Sequence, residues 1–105
     1  MTEWRRGEIW WGEAPDEKGR PYLVLTRDEA IPVLRTVLAA PVTRTVRGIA
    51  TEVLLGPAEG LPAECAATID NTLAVPKAML VRRMGALGPP RPTQLCGAWR
   101  AAVGC

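Results

Sequence analysis

The side chains that could carry out chemistry in this chain are arginines, carboxylates and hydroxyls, because the sequence contains no histidine. Histidine is the commonest general acid and base near neutral pH, so an enzyme built from this chain must move protons by other means. The three cysteines, Cys65, Cys96 and Cys105, are odd in number and scattered, which argues against a disulfide framework. No acidic residues cluster with them at useful spacing, so we expect no metal site and no cofactor.

Charge and length set broad limits on the class of protein. A net charge of +2 over 105 residues permits nucleic-acid binding without arguing for it. The length predicts one domain spanning residues 1–105. The sequence shows no charged leader followed by an apolar stretch and no apolar run of membrane length, which predicts a cytoplasmic protein with reduced thiols and no membrane partner.

Short runs of strand-forming residues, separated by dispersed glycines and prolines, must position those side chains. The continuous apolar run at 22–26 predicts a buried central strand. In all, the pattern predicts six strands, at residues 8–11, 22–26, 36–43, 51–55, 65–69 and 81–87. Single helical turns are predicted over 29–31, capped by Asp28, and over 76–80.

The C-terminal segment has a different periodicity. Leu95, Trp99, Ala102 and Val103 fall on one stripe of an amphipathic helix, which predicts that Trp99 is a core residue. Thr93 is expected at the N-cap and Gly104 at the C-cap. The combination predicts a mainly β (α+β) fold, with an antiparallel sheet curled into an SH3-like partial barrel against that helix.

Five motifs in order extend this prediction beyond fold class. They are RRGEIWW, GRPYLVLTRD, the strand end APVT, TEVLL, and the acidic-amide step Asp70-Asn71 before a short helix. Together they resemble the MazF/PemK toxins, over about Arg6 to Val103, and 26–28 through 44–48 looks especially like the mycobacterial branch. The resemblance implies a CcdB/PemK-type barrel and the toxin of a type II toxin–antitoxin system. It also implies a homodimeric, metal-independent, sequence-specific endoribonuclease acting on single-stranded RNA, neutralised by a cognate MazE-like antitoxin.

Two catalytic residues of that family match this chain, Arg20 before Pro21 and Thr43 at the end of the third strand. Metal-free RNA cleavage uses the ribose 2′-OH to attack the adjacent phosphate, and negative charge builds on the phosphoryl oxygens. An arginine fork can hold two such oxygens, and a threonine hydroxyl can donate to the same group. Taken singly, an arginine at a loop–strand junction is usually a solvated charge, and a strand-end threonine is usually a strand-former.

The proton-transfer group is open. Some family members carry a glutamate about five residues before the arginine, where this chain has Pro15. Among the nearby acids Glu17 is the first candidate to assist proton transfer, followed by Asp16 and Glu13. Arginine is too strongly protonated to act as an ordinary base, so Arg20 is assigned to charge stabilisation.

Four residues are candidates for RNA binding. Arg44 and Arg47 follow Thr43 directly and could track the RNA backbone, or they could only keep the loop soluble. Asn71 could read a base edge, and a turn-forming Asp-Asn pair is the alternative. Trp10 and Trp11 alternate across their strand, so one should be core and the other partly exposed. Trp11 is the candidate that could stack on a base or on the antitoxin, and simple core packing is the alternative.

Two other functions stay open beside the ribonuclease. A CcdB-type gyrase inhibitor shares this barrel without being an enzyme, and Trp99 near the C-terminus is similar to its contact region. A protein-binding β-barrel module is the third possibility. Arg82 and Arg83 are expected on a sheet face or a dimer rim.

Overall fold

The computed structural model describes residues 3–15, 18–89 and 91–104. Within them, seven strands form one antiparallel sheet in the order β4-β5-β3-β2-β1-β7, with β6 also pairing with β3. The bounds are β1 Glu8–Gly12, β2 Arg20–Val24, β3 Thr36–Thr43, β4 Glu52–Leu55, β5 Cys65–Thr68, β6 Leu73–Pro76 and β7 Leu80–Ala86. The single α-helix of this part of the chain, α1, is Pro92–Val103. The predicted fold class is confirmed.

Strand alternation distributes the apolar side chains over both faces of the sheet. Ile9 and Leu23 face one core cluster, which α1 closes with Leu95 and Ala98. Trp10 and Val24, their chain neighbours, face a second cluster on the opposite side. A sheet buried on both faces explains why the run in β2 is continuously apolar rather than alternating.

β3 is the strand that joins the parts of the sheet, because three other strands pair with it. Along one edge it pairs with β2, and along the other with β6 through Val37 and with β5 through Val42. Between β5 and β6 the chain forms a 3-10 turn at Ile69–Asn71. The Thr68 hydroxyl ties the end of β5 to β3 by donating to the Pro41 carbonyl at 2.9 Å.

The prediction of six strands was wrong by one strand, β6. Its residues, Leu73–Pro76, are four in number and mostly exposed, and the segment ends in proline, so no alternating pattern marks it. The 3-10 helices of the described residues also outnumber the predicted one or two turns, at Ile31–Val33, Pro57–Glu59, Ile69–Asn71 and Lys77–Met79. The first of these begins later than predicted and includes Pro32. Asp28 does not cap it but accepts a hydrogen bond from the Arg6 backbone N–H at 2.7 Å.

Helix α1 begins and packs differently from the prediction. Its N-cap is Arg91 rather than Thr93, because Pro92 occupies the first turn, where a missing N–H costs nothing. Trp99 is 37% exposed and therefore not a core residue. Leu95 and Ala98, three residues apart, form the centre of the buried stripe, and Trp99 lies at its flank. The predicted C-cap, Gly104, is confirmed by its left-handed backbone.

The segment after β4 packs directly on β7 through two glycines. Gly60 has φ of +90°, and a Cβ there would collide with the Met84 carbonyl. A Cβ on Gly85 would collide with the Glu59 carbonyl in the same way. Glu59 is held by Arg91 at 2.9 Å, so the start of α1, the 57–61 segment and β7 form one packed unit. None of the described helices has the length and apolar character needed to cross a bilayer.

Substituting Gly85→Ala is expected to destabilise the fold, because its methyl group would overlap backbone that cannot move aside. Overpacking of this kind costs about 1–3 kcal/mol or more, which lowers Tm by on the order of 5–20 °C in a chain of this size. Thermal unfolding measures the change. Gly97→Ala is the matched control, since nothing lies within 4 Å of its Cβ position, and it should leave Tm unchanged or raise it. Equal Tm values for both variants would contradict this packing.

Candidate active site

The sheet register brings Arg20 and Thr43 to the same place. Tyr22 of β2 lies opposite Pro41 of β3, and the same register, continued two residues past the paired segment, puts Arg20 opposite Thr43. Both residues then share one face of the sheet, because side chains at even spacing in register point the same way. Two residues that are far apart in sequence thus meet at neighbouring strand ends.

Small residues flank this pair in the same row of the sheet. Gly12 of β1 is opposite Arg20, and Ala66 of β5 is opposite Thr43. The ring of Tyr22 lies over Gly12, where a Cβ would come within 2.7 Å of it. Gly12 and Ala66 are both buried, so the exposed groups of this row are Arg20 and the half-buried Thr43.

Arg20 has a fixed backbone and an exposed head group. Its preceding residue, Gly19, packs so closely under the Trp11 indole that a Cβ would lie 2.5 Å from the ring. The following residue, Pro21, restricts Arg20 to extended conformations. No carboxylate of residues 3–15, 18–89 or 91–104 forms an ion pair with the guanidinium. The fork is therefore positioned without being neutralised by those residues.

Thr43 is half-buried and its hydroxyl is oriented by the loop that follows. Its Oγ1 accepts a hydrogen bond from the Thr45 backbone N–H at 3.2 Å. A hydroxyl that accepts one bond still has its proton to donate. The proton of the Thr43 hydroxyl is therefore available to a ligand.

The loop carrying Arg44 and Arg47 is held by a carboxylate that sequence reasoning did not identify. Glu52 at the start of β4 accepts hydrogen bonds from the Arg47 N–H at 3.0 and 3.2 Å and from the Gly48 N–H at 2.8 Å. Gly48 has φ of +72°, which allows the bend. Arg47 uses only its backbone N–H in these bonds, and the side chains of Arg44 and Arg47 are both exposed. The spacing of a glutamate five residues after Arg47 was the signal available in the sequence.

Asn71 lies in the 3-10 turn between β5 and β6. Both of these strands pair with β3 along the edge away from β2. Its neighbour Asp70 accepts a hydrogen bond from the Thr51 hydroxyl at 2.6 Å, which anchors the turn. The Asn71 side chain is exposed. The pair therefore forms the turn that was the alternative interpretation, and the amide of Asn71 also remains accessible.

The tryptophans of β1 divide as the alternation predicts. Trp10 is buried, and Trp11 is partly exposed beside Gly19 and Pro21. Arg82 and Arg83 lie on the edge strand β7, where Arg83 pairs with Glu8 at 2.7 Å.

The proton-transfer candidates Glu17 and Asp16, like Cys105, lie outside the described residues. Glu13 is exposed, and its backbone N–H donates to the Met79 carbonyl at 2.8 Å. The part of the chain that the structure describes contains no group of three or more potential metal ligands.

The fold and this strand-end pair define a small curled β-sheet protein with a cationic site. Residues 5–99 match the family model described as PemK-like, MazF-like toxin of type II toxin-antitoxin system, and the chain belongs to that family. It is 45% identical over 101 residues to "Probable endoribonuclease MazF5" of Mycobacterium tuberculosis, covering 95% of this chain and 93% of the relative. It is 37% identical over 102 residues to "Probable endoribonuclease MazF2" of the same organism, covering 96% and 99%. The solved structure of the Mycobacterium tuberculosis toxin MazF-mt6 superposes with a TM-score of 0.85 at 36% identity, covering 92% of this chain and 96% of that chain. The predicted resemblance to the mycobacterial branch is confirmed.

Removing the Glu52 carboxylate should loosen the arginine loop, because the backbone N–H groups of Arg47 and Gly48 lose their acceptor. We expect Glu52→Ala to be cut faster than the native chain by trypsin after Arg44 and Arg47, with the fragments followed by mass spectrometry. Glu29→Ala, at an exposed glutamate outside this loop, is the control. Native-like cleavage rates in Glu52→Ala would show that the carboxylate does not hold the loop.

Proposed function

We propose that this chain is a sequence-specific endoribonuclease that cuts single-stranded RNA without a metal ion. The observation that carries the proposal is the β2–β3 register, which, continued two residues past its last pair, sets Arg20 opposite Thr43 at neighbouring strand ends. No described carboxylate pairs with the arginine. Membership of the PemK/MazF family and the names of the two mycobacterial relatives support an RNA substrate.

The reaction is an attack of the ribose 2′-OH on the adjacent phosphorus. The new 2′-O–P bond forms as the P–O5′ bond breaks, which leaves a 2′,3′-cyclic phosphate and a free 5′-hydroxyl. Charge builds on the phosphoryl oxygens, and the Arg20 fork holds two of them while the Thr43 hydroxyl donates to the same group. Both donors are in place before the reaction, so stabilising this charge requires little reorganisation.

The surrounding residues supply binding rather than chemistry. Arg44 and Arg47 sit on the pinned loop directly after Thr43 and neutralise phosphates next to the cleaved one. Asn71, with its accessible amide, is placed to contact a base edge. Neither role requires these side chains to move a proton.

The partners follow from the family. A toxin of a type II pair is held inactive by a cognate protein, here a MazE-like antitoxin. A homodimer is proposed on the resemblance to the family alone. We place this activity in the cytoplasm, carried by a single domain over residues 1–105.

A CcdB-like gyrase inhibitor and a plain binding module are the competing functions. Trp99 is exposed, so burial no longer counts against a gyrase contact there. The match of residues 5–99 to the PemK/MazF family nevertheless favours the ribonuclease. A gyrase inhibitor would also have no use for the Arg20 and Thr43 pair.

Cleavage of a long single-stranded RNA in excess chelator tests the proposal. The native chain should cut, and Arg20→Ala and Thr43→Ala should each lower kcat/KM by on the order of 100- to 1000-fold, as loss of a preorganised donor does. Arg20→Lys should recover only part of the rate, because a lysine cannot hold two oxygens as a fork.

Arg35→Ala is the matched control, since Arg35 is exposed and precedes the opposite end of β3. It should cut at the native rate. If the native chain is toxic but cuts none of a varied set of RNAs, the proposal is contradicted. Rescue of that toxicity by topoisomerase mutations would favour the gyrase inhibitor instead.

A further inference from the structure

A cleft of about 200 Å³ opens beside Thr43, on the inner face of the same strand ends. Pro21, the neighbour of Arg20, and Val42, the neighbour of Thr43, lie on its wall. Because successive side chains of a strand point to opposite faces, the proposed phosphate site and this cleft use the two faces of one pair of strand ends. Thr43, as the last residue of β3, borders both.

The lining of the cleft is apolar with a single cation. Trp11 from β1 and Met84 from β7 face Leu61 and Pro62 of the segment before β5, and Arg44 lies at the rim. Its volume equals that of about seven liquid waters at about 30 Å³ each. The cleft therefore has room for one planar heterocycle. An aromatic wall and an arginine are the surfaces on which nucleobases stack.

The Cys65 thiol adds no charge to this cleft. Burial raises the pKa of Cys65 above its ordinary value, the Glu59 carboxylate adds to the rise, and Arg44 opposes it. The thiol is therefore neutral near neutral pH, and the lining residues of the cleft carry one charged side chain, the cation Arg44.

Trp11 differs from the other two N-terminal tryptophans in what its indole N–H does. Trp4 donates its N–H to the Leu80 carbonyl at 3.2 Å, and Trp10 donates its N–H to Glu8 at 3.0 Å. Among the described residues, Trp11 donates to none in this way, while its ring packs on Gly19 and lines the cleft. Its ring is thus held against Gly19 and forms one wall of the cleft.

We infer that this cleft is a nucleobase pocket, which receives the base of a nucleotide next to the cleaved phosphate between Trp11 and the 61–63 segment. The inference rests on the proposed function. Arg44 on the lining favours an anionic chain, and Thr43, which belongs to both the proposed phosphate site and the lining, joins the two sites. The pocket therefore contributes to sequence specificity, and Trp11 is a specificity-determining residue.

An abasic scan tests the pocket. RNAs carry one abasic nucleotide in turn at each position around the cleaved bond, and kcat/KM is measured for each. For the native chain, one position should lose about 5- to 150-fold, the equivalent of about 1–3 kcal/mol for one stacked base. Trp11→Ala removes one wall of the cleft, and Ala63→Leu fills it. In both variants the loss at this position should shrink to near unity, because the base of the parental RNA no longer adds to kcat/KM.

Trp99→Ala and Ala101→Leu make the same changes at exposed positions of α1 and should keep the native abasic profile. If Trp11→Ala does not fold, Ala63→Leu carries the test alone. If the abasic substitution costs the cleft variants as much kcat/KM as it costs the native chain, the nucleobase pocket is overturned. This holds even if those variants bind a peptide antitoxin less well. If the native chain cuts no RNA at all, the proposed function itself has failed, which is a different result.

Discussion

The backbone register of β1, β2 and β3 is the constraint on which the rest of the site depends. A slip of one residue between β2 and β3 would move every side chain of one strand to the opposite face, and Arg20 would no longer share a face with Thr43. The register is held because both faces are buried, with Leu23 and Ala40 in one cluster and Val24 and Ala39 in the other. The same packing that stabilises the fold therefore positions the site.

Close backbone contacts fix the elements around these strand ends. Gly19 can lie under the Trp11 indole only because it has no side chain, and this contact sets the start of β2 directly before Arg20. On the other side, Gly60 and Gly85 let the segment before β5 rest on β7, which places one wall of the cleft. The exposed arginines extend from this frame, which suits recognition of a polymer with repeating charges.

Fold class and most strands could be predicted from the sequence, because the apolar runs are strong and bounded by glycine and proline. β6 could not, since its four residues carry no alternating pattern, and the burial of α1 was misassigned because Ala98 is small and Trp99 is large. Arg20 and Thr43 were identified through family motifs, while their opposition across the sheet needed the register. The cleft is built from segments distant in sequence, so no local spacing indicates it. The contact of Glu52 with the arginine loop is local, and only the spacing of Glu52 from Arg47 pointed to it.

The most direct test of the account is a double-mutant cycle on Arg20 and Thr43, measured as kcat/KM for RNA cleavage in excess chelator. If both side chains stabilise the same phosphoryl group, their effects are coupled, and the double alanine variant should lose no more than about tenfold beyond the worse single variant. Two residues acting on separate steps or separate nucleotides would instead lose the full product of the single effects. That product would contradict the shared phosphate site.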